Sequence, residues 1–406
     1  MPVVSLSPFH WAEGLTIDVL IRLLNKTFFD PAYHWVVLVS YAVQSVTRSS
    51  VRRLSFLEAT KAAVFATPTL ARSDPFFQAI LALCAVGTVL KLNKLLDRVA
   101  RNNFTTDKKG WKWGQPEGGE IVLITGGESI HLYSGFAGAG GLGSHVARRL
   151  AARKIKVIVL DVAPLAADAP ESIAYYKVDL SNAEAIRKVA ETVRREIGHP
   201  SVLVNMAGVV KASSILDMPE RDIDLTYDIN VKAHYYTVQA FLPHMLEEGH
   251  GHVVTIASST AYHQAANGVA YCSSKAAALS FHEGLTEELR HLYLPHSKAR
   301  AVRTSVICPA HFKSGMFAGF VSGIPEFLAP SLEVDTVAEL VEKTILSGES
   351  QHIIEPYYAS FTPLGRALPT WIYGGILACA KDAMGHVQTF RGGGKNIDRP
   401  DGAKSD

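Results

Sequence analysis

Residues 120–127 read EIVLITGG, and residues 138–161 read GAGGLGSHVARRLAARKIKVIVLD. The first stretch predicts an apolar strand that runs into glycines, and the second predicts a helix from Ser144 followed by another apolar strand. Glycines between a strand and a helix let the backbone approach a pyrophosphate closely, and the helix N-terminus favours its negative charge. We therefore predict a dinucleotide site, whose first candidate residues are Thr125, Gly126, Gly127, Gly141, Leu142 and Gly143.

Apolar strands continue to alternate with helical segments as far as about residue 360. Further strands are predicted at 156–160, 201–205, 252–256, 301–307 and 351–355. Because these strands are apolar throughout, they indicate a parallel sheet that is covered by helices on both faces. We expect an α/β fold, a doubly wound parallel sheet (Rossmann-type) with an N-terminal hydrophobic helical membrane-anchoring region. The expected parts are an anchoring region at 1–115, a catalytic domain at 116–360, and an apolar segment with a disordered tail at 361–406.

Polar residues at the ends of these strands add to the predicted cofactor site. Asp161 ends the second strand, where a carboxylate accepts hydrogen bonds from the adenosine ribose. The same carboxylate would repel the 2′-phosphate of NADP, so we expect NAD, with NADP as the second choice. Asp179 follows a third strand, on the adenine side. Three further candidates, Asn205, Ala207 and Gly208, follow the fourth strand at the edge of the sheet where the crevice is expected.

The chemical site is predicted around Tyr271 and Lys275, which lie about one helical turn apart on one face. The phenol has a free pKa of about 10, and a neighbouring cation would lower it toward neutral pH. Ser258 ends the strand HVVTIA, and its hydroxyl can orient a substrate oxygen beside Tyr271. Ser259 and Thr260 are its neighbours and remain alternatives. The alternative is that Ser258 is only a turn residue, whose hydroxyl bonds its own backbone.

Taken together, these motifs resemble the short-chain dehydrogenase/reductase family over about residues 119–320. Pro309 and Ser314, after a late strand, belong to the same pattern. The resemblance implies that Tyr271 is the acid/base, that Lys275 lowers its pKa, and that the segment after Pro309 contacts the nicotinamide carboxamide. It also implies a proton relay supported by Asn230. The implied catalytic residues are Asn230, Ser258, Tyr271 and Lys275.

Within that family, ASS…YCSSKAA…FHEGLTEEL resembles the microsomal and lipid-droplet branch of retinol dehydrogenases and type 11-like 17β-hydroxysteroid dehydrogenases. This narrower resemblance implies a lipophilic substrate of retinoid, steroid or fatty alcohol type. The resemblance to the family as a whole implies a homodimer that pairs through residues 230–248 and 274–292. Two alternatives stay open. One is an NADPH-dependent lipid ketone reductase, and the other is a cofactor-impaired membrane or lipid-droplet protein that keeps the fold.

Composition excludes several other classes of function. With 48% hydrophobic and 19% charged residues and a formal net charge of +2, the chain is suited to a large core and has no general attraction to nucleic acid. Its four cysteines, Cys84, Cys272, Cys308 and Cys379, form no C-x-x-C pair. No metal site is predicted, since the sequence that begins like a zincin helix at His282 has Thr286 where the second histidine would stand.

The N-terminal region carries the membrane prediction. Phe76–Leu90 has no charged residue but is shorter than the about 20 residues that span a bilayer, and Trp35–Val46 is a weaker second candidate. Basic residues flank the apolar run on both sides, which favours a hairpin and a catalytic domain facing the cytosol. We expect a location at the endoplasmic reticulum or a lipid droplet. The alternative is a pair of amphipathic helices packed on the catalytic domain.

One departure from the family pattern is large. Joining Gly127 to Ala139 would give the full fingerprint TGGAGGLG, but Glu128–Gly138 (ESIHLYSGFAG) intervenes. Three explanations stay open. They are a bulge that loops outward, a damaged dinucleotide site, and a splice variant or erroneous gene model. Smaller departures are Met206 for a usual Asn, Ala310 for a usual Gly and Ser314 for a common Thr.

The C-terminal region has two interpretations. Leu364–Ala380 is apolar and includes a Trp and a Tyr, so it suits a substrate entrance or a membrane interface. A packed C-terminal helix is the alternative. The tail from Arg391 is rich in glycine and charge, which predicts disorder.

Overall fold

A computed structural model describes residues 14, 16–27, 29–49, 55–104, 110–127, 141–293, 298–317 and 324–379. The intervening segment Glu128–Gly138 and the tail from Arg391 therefore lie outside the described residues. The chain divides into two compact units, one formed by Val19–Ala100 and the other by the residues up to Asp18 together with those from Arg101 onward.

The larger unit is built on a seven-stranded parallel sheet in the order β3-β2-β1-β4-β5-β6-β9. This order reverses between β1 and β4, where the carboxyl ends of the strands open a crevice for ligands. The expected doubly wound fold is therefore confirmed. A separate two-stranded sheet joins β7 to β8. The strands are β1 (Ile121–Thr125), β2 (Lys156–Asp161), β3 (Ile173–Lys177), β4 (Val202–Asn205), β5 (His252–Ile256), β6 (Arg303–Pro309), β7 (Phe312–Lys313), β8 (Leu332–Glu333) and β9 (His352–Glu355).

Alternate residues of each strand serve two separate cores, because successive side chains point to opposite faces of the sheet. Val122 and Ile124 pack with one set of helices, including α5 and α10, whereas Leu123 packs on the other face with α6, α8 and α9. All three side chains are fully buried. The helices of this unit are α5 (Leu142–Ala152), α6 (Ala183–Glu196), α7 (Glu220–Tyr227), α8 (Ala233–Glu248), α9 (Val269–Glu287), α10 (Val334–Ser347), α11 (Thr362–Gly365) and α12 (Thr370–Cys379).

The smaller unit is helical and has a modest core. Its helices are α1 (Ile17–Thr27), which begins in the other unit, α2 (Pro31–Ser49), α3 (Phe56–Ser73) and α4 (Pro75–Arg101). A few side chains, among them Leu38, Ala63 and Phe77, form the buried cluster. Most of the apolar surface of α4 is not used in this way, since Val89, Leu92 and Leu95 are each at least half exposed.

Among the described residues, α4 is the one helix whose length and hydropathy are sufficient to cross a membrane. It has 27 residues, so it exceeds the about 20 that a bilayer requires, although the uncharged run Phe76–Leu90 is shorter. The second predicted segment, Trp35–Val46, lies within α2. The helix is a candidate membrane anchor, and the hairpin arrangement stays a prediction.

Candidate active site

Tyr271 and Lys275 lie in the first two turns of α9 and face the same cavity at the carboxyl edge of the sheet. The Lys275 Nζ atom lies 5.9 Å from the centroid of the Tyr271 ring. Both residues are buried, and the Lys275 ammonium donates to the carbonyl oxygen of Ile256, at the end of β5, at 3.0 Å. The helix and the strand end thus fix the ammonium beside the phenol.

Burial dominates the electrostatics of this pair. It lowers the pKa of the Lys275 ammonium to about 8. It also raises the pKa of the Tyr271 phenol above its usual value, and the hydrogen bond with the Ser258 hydroxyl is the effect that opposes it. The lowering of this pKa by Lys275 therefore stays a prediction, which concerns an effect that opposes burial. In this environment the cost of desolvating a phenolate exceeds the favourable effects of its neighbours.

Ser258 lies two residues after the end of β5 and lines the same cavity as Tyr271. Its hydroxyl donates to the carbonyl oxygen of Pro309 at 3.3 Å and accepts from the backbone N–H of Thr260 at 3.2 Å. The bond to Thr260 is the turn-residue role considered for this serine, and the same side chain also lies in the cavity wall. Ser259 and Thr260 do not line the cavity, so the structure favours Ser258 among the three.

Asn230 lies in a π-helical segment, Asp228–Lys232, between α7 and α8. Such single-turn bulges often occur at functional sites. The side chain is fully buried and accepts from the Val209 N–H at 2.8 Å, while its amide donates to the Val209 carbonyl and to Ser274 Oγ. A Cβ atom on Gly208 would lie 3.4 Å from both Asn230 Oδ1 and Lys275 Nζ. Asn230 therefore stands behind the wall, close to Lys275.

The glycine turn is assembled from two separate parts of the sequence. Gly127 accepts a backbone hydrogen bond from Ser144, the third residue of α5, at 2.8 Å. Gly126 has a φ of +79°, and a Cβ atom there would lie 2.7 Å from Ala207 Cα. A Cβ atom on Gly143 would collide with the carbonyl oxygen of Gly126. The backbones therefore approach more closely than any other residue type would permit.

The two aspartates predicted for the cofactor site both line the cavity. The carboxylate of Asp161 accepts from the backbone N–H groups of Gly127 at 2.6 Å and Ala163 at 3.0 Å. These bonds hold a carboxylate at the end of β2, next to the glycine turn. Asp179 accepts from the N–H and the hydroxyl of Ser181.

Three predicted cofactor residues do not line the cavity. Thr125 is buried, and its hydroxyl accepts from the backbone N–H groups that follow β4. Gly127 lies behind Asp161. Asn205 is fully buried and accepts from the Thr237 hydroxyl at 2.8 Å, so it joins β4 to α8. The prediction of a direct cofactor contact is corrected for Asn205, because its side chain points away from the crevice face of the strand end.

The cavity itself has a volume of about 500 Å³. The remaining predicted residues, Gly126, Gly141, Leu142, Gly143, Ala207, Gly208, Pro309 and Ser314, all line it. Ser314 Oγ is buried and has no hydrogen-bond partner among the described residues. A buried hydroxyl without a partner favours a polar ligand beside it. This hydroxyl, the closely packed glycines and the Asp161 carboxylate fit a nicotinamide dinucleotide.

Sequence reasoning missed part of the cavity wall. The missed residues include Val209, Val210, Lys211, Leu225, Ile229, Phe312, Met316 and Phe317. The Phe317 ring meets the Tyr271 ring edge to face, with 6.3 Å between centroids. The signal available in the sequence was position alone, since most of these residues follow the strand-end motifs at 205–208 and 309, whereas Leu225 and Ile229 precede Asn230. The wall next to the phenol is therefore largely apolar.

Comparison with known proteins agrees with this geometry. A model of the family described as short chain dehydrogenase matches residues 133–323. The chain is 36% identical to human estradiol 17-beta-dehydrogenase 11 over 259 residues, which cover 62% of this chain and 80% of that protein. It is 34% identical to human epidermal retinol dehydrogenase 2 over 276 residues, or 64% of this chain and 83% of the relative.

The chain belongs to the short-chain dehydrogenase family. Solved structures agree on the fold of this short-chain dehydrogenase. One from Streptomyces avermitilis is 21% identical, with a TM-score of 0.50, and covers 66% of this chain and 97% of the other. Another from Burkholderia cenocepacia J2315, solved in complex with NADP, is 21% identical, with a TM-score of 0.51, and covers 64% and 97%. The protein is thus a nicotinamide-dependent oxidoreductase that acts on CH–OH groups.

Proposed function

We propose that this short-chain dehydrogenase interconverts a lipophilic alcohol and the corresponding ketone or aldehyde with NAD(H). The observation that carries the proposal is the meeting of Ser258, Tyr271 and Lys275 on one wall of a cavity whose neighbouring wall is apolar. A bound nicotinamide nucleotide supplies the acceptor or donor of the hydride. The rest of the chemistry is a proton transfer at the substrate oxygen, and the chain itself provides the groups for it.

In this proposal Tyr271 gives its phenolic proton to the substrate oxygen or takes one from it. Ser258 orients that oxygen, because it lines the same part of the cavity as Tyr271. The Lys275 ammonium lies close enough to stabilise charge on the phenol as the proton moves. Asn230 supports the relay by holding the loop after β4 against α9 through Val209 and Ser274.

We infer a preference for NAD over NADP from Asp161. Its carboxylate lines the cavity at the end of β2, where it can accept from ribose hydroxyls and would repel a 2′-phosphate. An NADPH-dependent lipid ketone reductase is the second candidate. Steady-state kinetics of Asp161→Ala with both cofactors separate the two, since the NAD preference should weaken. A wild-type enzyme that prefers NADPH would contradict the inference.

The substrate class follows from the apolar wall and from the relatives, whose names refer to estradiol and retinol. We propose a retinoid, steroid or fatty alcohol. Reduction of NAD⁺ should be measured with a panel of lipophilic alcohols, beside the Tyr271→Phe variant. If none of the panel supports reduction, a cofactor-impaired protein becomes the better proposal, and the segment Glu128–Gly138 is the feature that favours it.

We also propose that α4 anchors the enzyme to the endoplasmic reticulum or a lipid droplet, with the catalytic domain in the cytosol. The length and the exposed apolar side chains of α4 support this. Carbonate extraction and protease protection of the full chain test the anchoring and the orientation. A homodimer through α8 and α9 and the three-part division at residues 115 and 360 stay proposals, and light scattering of the purified enzyme tests the dimer.

A further inference from the structure

Lys211 contributes a positive charge to the wall of the cavity, and it is separate from the proposed catalytic group of Ser258, Tyr271 and Lys275. It lies on the loop after β4, on the catalytic side of the point where the strand order reverses. The same loop contacts the start of the catalytic helix, because Ser213 donates a backbone hydrogen bond to Asn267 at 2.9 Å. Lys211 therefore belongs to the part of the cavity that receives the substrate rather than to the adenosine side.

The surroundings of Lys211 do not neutralise it fully. Among the described residues, one carboxylate lies within 4.0 Å of its ammonium, that of Asp222 in α7. A separation of 4.0 Å is longer than a hydrogen bond, which for N–H···O is about 3.2 Å at most. Asp222 also lies 3.7 Å from the guanidinium of Arg221. One carboxylate thus faces two cations, and the Lys211 side chain is only 22% exposed.

Val210 on the same loop, Leu225 in α7 and Ile229 just after α7 also line the cavity, and all three are apolar. A cation held among apolar groups without a close partner is costly, and an anionic ligand group would offset that cost. The distribution of charge over the cavity points the same way. Asp161 and Asp179 are on the β2–β3 side and would repel an anion, whereas Lys211 on the other side would attract it.

We propose that Lys211 binds a carboxylate of the substrate, so that the preferred substrates are hydroxy acids with an apolar body rather than neutral alcohols. The inference rests on the proposed function and narrows its substrate class to a lipophilic alcohol that also carries a carboxylate. The apolar walls hold the body, Tyr271 meets the carbinol end, and Lys211 meets the acid end. Asp222 orients the ammonium and is partly displaced as its counter-charge when the acid binds.

The test uses two matched substrates, a long-chain primary alcohol and the ω-hydroxy carboxylic acid of the same length. For the full-length wild type and Lys211→Met, kcat/KM is measured with each. The ratio of acid to alcohol should fall on the order of tenfold in Lys211→Met, because a charge-assisted hydrogen bond is lost. Lys211→Arg should restore most of the ratio. Asp222→Asn should raise it, because the competing carboxylate is removed.

Binding of the saturated fatty acid of the same length gives a readout that does not depend on turnover. It should weaken in Lys211→Met, and thermal melting shows whether that variant is folded. If it is not, Lys211→Arg and Asp222→Asn still decide, since an unchanged ratio in Asp222→Asn overturns the inference. The inference is also overturned if the wild type oxidises both substrates and Lys211→Met leaves the acid-to-alcohol ratio of kcat/KM unchanged. A wild type that oxidises neither substrate, nor any other alcohol, contradicts the proposed function instead.

Discussion

The catalytic group and the glycine turn lie on the same cavity but depend on opposite properties of their residues. Ser258, Tyr271 and Lys275, the proposed catalytic group, carry polar atoms that are held in place by burial and by bonds to strand ends. Gly126 and Gly143 act through the absence of a side chain, since a Cβ atom on either would meet backbone atoms of a neighbouring segment. Removing a polar atom should therefore impair the group of Ser258, Tyr271 and Lys275, whereas adding a methyl group should impair the glycine turn.

The largest effect is expected for Tyr271→Phe, which removes the proton donor and keeps the ring. The turnover number should fall on the order of 10³-fold, while the protein stays folded, because the ring contact with Phe317 remains. Cofactor reduction measures the turnover number, and thermal melting shows whether the variant is folded. Tyr262→Phe is the matched control, since that phenol bonds His352 at 2.6 Å and does not line the cavity. If the turnover number of Tyr271→Phe falls tenfold or less, the phenol of Tyr271 is not the main proton donor.

The second effect concerns the cost of burying Lys275. Its pKa is lowered from 10.5 to about 8 in the folded protein. Between these pH values Lys275 binds more protons in the unfolded chain than in the folded protein, so the contribution of Lys275 to stability should rise with pH. The slope should approach about 1.4 kcal/mol per pH unit.

Lys275→Met lacks this titration. The difference in unfolding free energy between the wild type and the variant, measured in denaturant across the same window, should therefore increase with pH in favour of the wild type. Parallel pH profiles for the two proteins would show that the ammonium is better solvated than its position indicates.

The third effect belongs to the glycine turn. Gly143→Ala adds one methyl group where the carbonyl oxygen of Gly126 already lies, so the helix and the strand end must separate. We expect the free energy of unfolding to fall by about 1–3 kcal/mol and the affinity for NAD to fall with it. Gly284→Ala is the control, because a Cβ atom there meets nothing within 4 Å and alanine favours a helix by about 0.8–1.0 kcal/mol. Equal stability of the two variants would contradict the steric account.

The sequence was a good guide to the fold and to the position of Ser258, Tyr271 and Lys275 on one cavity. Continuously apolar strands predict a parallel sheet, and helical spacing brings Tyr271 and Lys275 to one face, since both signals are local. It was a weaker guide to Asn205. A motif gives the position along a strand, but the side chain of that residue lies on the face packed against Thr237.

Two other features depend on contacts between distant segments. The effect of burial on the pKa of Tyr271 comes from everything that packs around the phenol, and no spacing of two residues contains it. Lys211 lies on a loop, where no periodic pattern relates a side chain to the cavity. The glycine turn also joins residues that are distant in sequence, because a backbone hydrogen bond links Gly127 to Ser144. It differs from the other two features because the glycines at both of its ends are visible in the sequence.

The smallest effect is expected from excising Glu128–Gly138. Gly127 and Ser144 are already bonded at 2.8 Å, so both ends of the turn are in place, and Ala139 and Gly140 would connect Gly127 to Gly141. The shortened chain reads TGGAGGLG, and we expect it to bind NAD on the order of tenfold more tightly, about 1.4 kcal/mol. Equilibrium titration of NAD against both forms measures this.

The Glu128→Gln variant separates charge from length in the same titration, since a carboxylate near the pyrophosphate is unfavourable. If Glu128→Gln accounts for the whole gain, repulsion rather than the added length weakens the turn. Equally tight binding by the full chain and the shortened chain would refute the expectation. The turn would then depend only on the close packing of Gly126 and Gly143, which the two forms share.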